Sequence, residues 1–127
     1  MILIDTCGWI EWLTNGALAD RYEPFFKDAT QSVVPTSAQF ELYKWVARME
    51  GKQRALEAVA LTEQSRIVPL STPIALLAAD LSMAHELSFA DAIIYATAQF
   101  SQAELITSDS HFEGLRGVTF FKKEHGK

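Results

Sequence analysis

At 127 residues the chain is sized for a single domain, 1–127, that buries roughly two-thirds of its unfolded surface. It is 49% hydrophobic and has no low-complexity stretch, which argues against disorder. A net charge of −5 argues against a general, tight nucleic-acid binder. It does not exclude an enzyme acting on RNA, because catalytic acids count as negative until a metal neutralises them.

The first segment, Met1 to Ile4, is an uninterrupted apolar run, the pattern of a strand buried on both faces, with Asp5 at its carboxyl end. It lacks the basic leader of a signal peptide. Thr6 to Leu13 reads as a helix stopped by Asn15-Gly16. Ala19 to Ala29 reads as a second helical stretch, interrupted by Pro24, and Ser32 to Pro35 as a second strand. Thr36-Ser37-Ala38-Gln39 matches a capping box, with Thr36 as N-cap, opening a helix to about Glu50. Glu41 falls on its second turn. Lys44, Arg48, Lys52 and Arg54 crowd into the same region, where a basic run is more often a solvated face than a phosphate-binding stripe.

Gly51 punctuates, Gln53 to Ser65 forms the antiparallel partner, and Arg66 to Leu70 gives a third strand. Thr72-Pro73 starts a helix to about Glu86, with Thr72 as the capping hydroxyl. The stretch from Leu87 to Phe100 carries no charge after Asp91, and its apolar residues fall on several faces, so this helix is expected to be buried nearly all round. Ala103 to Thr107 is a fourth strand with Ser108-Asp109 past its end. Val118 to Phe121 closes the set, and 122–127 reads as a frayed tail. Short buried strands alternating with helices predict an α/β fold on a parallel sheet. No apolar run reaches membrane-spanning length, and the lone Cys7, read as a small buried hydrophobe, forms no internal disulfide. A reducing cytoplasm is the simplest home.

In open parallel sheets, ligands bind beyond the carboxyl ends of the strands. Asp5 and Asp109 stand at such ends, Asp91 at a helix start on the same rim, and Glu41 early on a helix that also begins there. Two carboxylates about 5 Å apart repel by ~3 kcal/mol at an effective dielectric of ~20, so four together are costly without a cation. Hard oxygen donors of this kind suit Mg²⁺ or Mn²⁺. Taken singly, each acid has a plainer role. Ser88-x-x-Asp91 resembles a capping box, Asp5 and Asp109 are placed to cap the turns that follow them, and Glu41 can pair with Lys44 on a solvated face. The joint pattern tips the balance. His85, His111 and His125 show no metal-ligand spacing with one another or with Cys7. A serine elbow and a glycine-rich phosphate loop are both missing.

With Ile2-Leu3-Ile4-Asp5-Thr6, Glu41 within Ser37 to Leu42, Leu87 to Ala98 around Asp91, and Leu105 to Phe112 around Asp109, the sequence resembles PIN-domain proteins. More narrowly it is similar to the VapC toxins of bacterial and archaeal toxin–antitoxin pairs. The resemblance implies a three-layer α/β fold with a roughly five-stranded parallel sheet and helices on both faces. It also implies a ribonuclease dependent on Mg²⁺ or Mn²⁺. By position, Asp5, Glu41, Asp91 and Asp109 match the family's acids, and Thr6 a supporting hydroxyl. Cys7 departs from the serine or asparagine common after that threonine, which puts one supporting hydrogen bond in doubt. Asp5 and Asp91 are the first choice for direct ligands, Asp109 completes the set, and Glu41 orients a water or a second metal. Lys44 and Arg48 are candidates to steer RNA, with a plain surface role the stronger alternative. The implied partners are RNA, an antitoxin and a second copy of the chain, and the aromatic content, including Trp9, Trp12 and Trp45, is rich enough to leave some of it for interfaces. Two rivals remain at this point: a receiver-like phospho-signalling domain, and a PIN-like module that binds RNA or protein without cutting.

Overall fold

The computed structural model describes residues 1–123, so the expected frayed tail lies, from 124 on, outside the described residues. Among the described residues five short strands alternate with helices: β1 (Ile2–Ile4), β2 (Val33–Pro35), β3 (Arg66–Val68), β4 (Glu104–Thr107) and β5 (Val118–Phe120). Every ladder is parallel. β1 pairs with β4 in the register Leu3↔Leu105, β4 pairs with β5 as Ile106↔Thr119, and β2 pairs with β3 as Val34↔Ile67. The single five-stranded sheet expected from the sequence is resolved as a three-stranded sheet, β1-β4-β5, beside a two-stranded one, β2-β3. Among the described residues, one isolated parallel bridge, Ile2↔Ser32, links the two. Strands of three or four residues leave little ladder to share, and Pro35 has no N–H to donate. Leu3, Ile4, Val33, Val34, Leu105 and Ile106 are all buried, as continuous apolar runs in parallel strands require.

In the described residues α-helices occupy most of the intervals: α1 (Thr6–Leu13), α2 (Ala19–Tyr22), α3 (Thr36–Glu50), α4 (Lys52–Thr62), α5 (Thr72–His85) and α6 (Phe89–Phe100). The second helical stretch is shorter than the sequence suggests. After one turn of α2 the chain tightens into a 3₁₀ turn, Glu23–Phe26, and another at Ala29–Gln31. Pro24 lies in the first of these turns, where the missing N–H costs least. The capping box at Thr36 does not form. β2 runs straight into α3, so Pro35, with φ −68° and ψ 147°, occupies the N-cap and Thr36 is already helical. Gln39 turns instead to the end of α4, donating to Thr62 Oγ1 (3.0 Å) and Glu63 Oε2 (2.7 Å). At α5 the capping hydroxyl is Ser71, one residue earlier than expected, accepting from the Ile74 N–H at 3.4 Å.

Gly51 at φ 93° lets α3 end and α4 begin without a linker, a conformation that any side chain would strain. The all-round burial expected of α6 holds from Ala92 to Ala98. Its two ends depart from it, because Phe89 and Phe100 are exposed. Of the tryptophans, Trp9 is buried, while Trp12 is partly exposed and stacks on Phe26 with ring centroids 4.2 Å apart. Among the described residues no helix is long and apolar enough to cross a membrane.

Candidate metal centre

Asp5 follows β1 directly, and Asp109 lies two residues beyond β4, so the β1–β4 pairing brings both to one edge. Their backbones are tied together. The Asp5 N–H donates to the carbonyl of Ile106 (3.0 Å), and the Asp109 N–H donates to Thr107 Oγ1 (2.9 Å). The same Thr107 hydroxyl donates to Asp5 Oδ2 (2.9 Å), so one side chain positions both acids. Asp5 Oδ1 accepts from the Thr6 N–H at 2.8 Å, which caps α1.

Thr6 also carries Glu41. Its hydroxyl donates to Glu41 Oε1 at 2.8 Å, drawing the second turn of α3 toward the start of α1. Glu41 therefore faces inward and is not spent on a surface pair with Lys44. Lys44 and Arg48 are exposed, and Lys44 Nζ lies 5.8 Å from the centre of the Phe40 ring. Asp91 lies in the first turn of α6, where Ser88 accepts from its N–H (3.2 Å). Only half of the expected capping box is made, because the Asp91 carboxylate goes elsewhere, to His111.

His111 is the residue that sequence reasoning missed. Its Nδ1 lies 2.9 Å from Asp91 Oδ2 and 3.1 Å from Asp109 Oδ1. Spacing among the His and Cys residues does not disclose it, since its partners are acids. The available signal was Asp109-Ser110-His111: Asp109 Oδ1 caps the short turn by accepting from the His111 N–H at 2.9 Å, which returns the imidazole to the acid two residues before it. Among the described residues, Asp91, Asp109 and His111 offer ligand atoms that all lie within 4.8 Å of one another.

Cys7 sits within this network and is not simply a hydrophobe. Its thiol lies 3.5 Å from Asp5 Oδ2 and accepts from the Ser108 hydroxyl, itself hydrogen-bonded by Tyr22 at 2.9 Å. The contact left in doubt by the departure from serine is present as a weak S–H···O bond. Tyr22 comes this close because Gly8 has no side chain: a Cβ there would stand 2.5 Å from Tyr22 Cε1.

The electrostatics record how closely the acids gather. Burial, above all, raises Asp5 from 3.8 to about 6, against the lowering bonds from Thr107 and Thr6, and the charges of Asp109 and Glu41 push it further up. Glu41 is raised first by burial, then by Asp91 and Asp109, with the Thr6 hydroxyl pulling the other way. Asp91 is raised by burial and by Asp109, and lowered by His111. His111 is raised, chiefly by the charge of Asp109 and then by its bond to Asp91. Of the three acids, Asp91 is the one whose rise His111 opposes, through its hydrogen bond and its charge when protonated. A set of hard oxygen donors that raise one another's proton affinity fits a divalent cation.

A family model for the PIN domain matches residues 2–118. Among solved structures, a toxin–antitoxin complex from Klebsiella pneumoniae is 27% identical, with a TM-score of 0.79, covering 94% of this chain and 96% of that one. FitAcB from Neisseria gonorrhoeae is 22% identical, with a TM-score of 0.74 over 96% and 97% of the two chains. Mycobacterium tuberculosis VapC20, a toxin that cleaves the sarcin–ricin loop, is 18% identical, with a TM-score of 0.70 over 96% and 90%. No curated protein matches the sequence.

Proposed function

Because the chain belongs to the PIN domain family, we propose that it is a metal-dependent endoribonuclease and the toxin of a toxin–antitoxin pair. The observation that carries the reading is the gathering of four acids from four separate segments at one edge of the parallel strands. Capping occupies one oxygen each of Asp5 and Asp109 but does not account for the gathering, in which burial and mutual repulsion raise Asp5, Glu41 and Asp91 together. The receiver-like alternative falls with the family assignment. The toxin role draws support from the Klebsiella pneumoniae complex. An antitoxin partner, a homodimer or higher homo-oligomer, and a cytoplasmic location belong to the same proposal.

In this reading Asp5, Asp91 and Asp109 hold the cation, and a bound Mg²⁺ or Mn²⁺ supplies Lewis-acid charge to offset both the carboxylates and the phosphodiester. Asp5 is fixed for the task by Thr107 and the Thr6 N–H, so its free lone pairs are aimed before anything binds. Glu41, with its proton affinity raised and its outer oxygen free of Thr6, orients the attacking water and takes its proton. Thr6 positions Glu41. Lys44 and Arg48, exposed further along α3, steer the RNA backbone.

Asp5→Asn and Asp91→Asn separately test the reading, assayed for RNA cleavage with Mg²⁺ or Mn²⁺ and for growth inhibition in a host. Each is expected to lose cleavage by at least on the order of a hundredfold while remaining folded. Undiminished cleavage in both variants would overturn the assignment. Growth inhibition that survives both changes would point to binding without cutting.

A further inference from the structure

We propose that His111 is a nitrogen ligand to the cation held by Asp91 and Asp109, and that it biases this position from Mg²⁺ toward a transition cation such as Mn²⁺. The inference rests on the metal-dependent reading above and deepens it. Three features of the structure carry it.

The first is which atom points inward. Nδ1 of His111 meets Asp91 Oδ2 at 2.9 Å and Asp109 Oδ1 at 3.1 Å, so the nitrogen that would release its proton to solvent and ligate the cation faces the same space as the two carboxylates. The second is span. The three ligand atoms lie within 4.8 Å of one another, close to what one ion with bonds of ~2.0–2.2 Å can bridge after small side-chain rotations. Asp5 and Glu41 are not part of this compact trio.

The third is how the ring is held. The backbone of the turn is fixed: Asp109 caps it, the Phe112 N–H donates to the Asp109 carbonyl (3.1 Å), and Phe112 is fully buried. The imidazole itself is 69% exposed. Its tilt toward the acids therefore owes nothing to core packing, and the turn delivers it from a rigid base.

The donor chemistry gives the bias. Mg²⁺ takes hard oxygens and keeps several waters, and gains little from an imidazole. First-row transition cations accept imidazole nitrogen readily, and carboxylate oxygen as well. Asp91 and Asp109 serve either kind of ion, so the added nitrogen decides between them.

The full-length chain, stripped of metal with a chelator, is titrated with Mn²⁺ and separately with Mg²⁺ by calorimetry, and the Mn²⁺ form is examined by pulsed electron paramagnetic resonance. Wild type, His111→Ala, His111→Gln and Asp91→Asn are compared, with circular dichroism confirming that each is folded. Wild type is expected to show a nitrogen coupling to Mn²⁺ that both His111 variants lack. Both should bind Mn²⁺ at least about tenfold more weakly, and Mg²⁺ within about threefold of wild type. If wild type binds Mn²⁺ without a nitrogen coupling, or if the His111 variants bind it as tightly, the ligand role is overturned. In that case a loss of Mn²⁺ in Asp91→Asn leaves the acidic site standing. If wild type binds neither ion, both this inference and the metal-dependent reading fall.

Discussion

The inner and outer halves of the acidic edge are built in opposite ways. On the inner side, Asp5 is 6% exposed, and each of its oxygens accepts a bond from a buried neighbour, the Thr6 N–H and the Thr107 hydroxyl. On the outer side, the Asp91 and Asp109 side chains are 17% and 27% exposed, and the group between them is a largely solvated histidine. The inner half is pre-set by the fold at the expense of stability. The outer half is anchored through its backbone, at Thr107 and Ser88, and leaves its carboxylates partly solvated around the imidazole. A buried carboxylate kept in place despite its cost is the mark of a functional group rather than a structural one.

The largest expected effect tests that cost. The displacement of Asp5 from 3.8 to about 6 corresponds to about 3 kcal/mol against its ionised form. Between those two values the folded chain holds a proton that the unfolded chain has released, so stability falls as pH rises through that window. The contribution is fully present below 3.8 and lost above about 6. Asp5→Asn never ionises and keeps an oxygen for the Thr6 N–H. In chelator at pH 7.5 it should therefore be more stable than wild type by on the order of 1–3 kcal/mol, with a flatter fall from pH 5 to 7.5. Glu41 and Asp91, raised in the same direction, keep part of the slope. Urea titrations at the two pH values measure both quantities, and a less stable Asn variant at pH 7.5 would show that Asp5 serves the fold.

A smaller effect separates the halves. Thr107→Val removes the hydroxyl that donates to Asp5 and accepts from the Asp109 N–H, while keeping nearly the same shape. Cleavage is expected to fall about 10–100-fold, the usual range for losing a group that orients a metal ligand. Because Thr107 is fully buried, a stability loss of about 1–3 kcal/mol should accompany it. Cleavage at the wild-type rate would mean that Asp5 and Asp109 are positioned without this link.

How far the sequence discloses this arrangement differs along the same line. The strands and their order of alternation with helices follow from apolar runs and periodicity, and α6 is legible because nothing after Asp91 carries charge. The acids at strand ends are legible too, since a parallel sheet puts those ends on one rim. What pairs with what is not. Thr107 reads as one more strand residue, yet it ties Asp5 to Asp109, and its own bond to Asp5 spans 102 residues of the chain. His111 is hidden because its partners are oxygens from two elements and no ligand spacing connects them. The caps at Thr36 and Thr72 mislead for a local reason: a hydroxyl three residues before an amide looks the same whether or not the preceding residue has already taken the N-cap geometry.

The smallest expected effect lies outside both halves. Lys44 and Arg48 are exposed on α3, one and two turns past Glu41, on a chain whose net charge is −5. Neither bears on the fold: surface substitutions of this kind change stability by less than about 0.5 kcal/mol. If they meet RNA phosphates, Lys44→Ala and Arg48→Ala should each weaken binding without changing sequence preference, and each should reduce the salt dependence of binding by roughly one counterion. RNA affinity is measured from low to moderate salt with Asp91→Asn as the background, so that cleavage does not interfere. An unchanged salt slope in both variants would return this stretch of α3 to the role of an ordinary solvated face. The acidic edge would then have to draw its substrate against its own repulsion, with a bound cation supplying the positive charge at the cut.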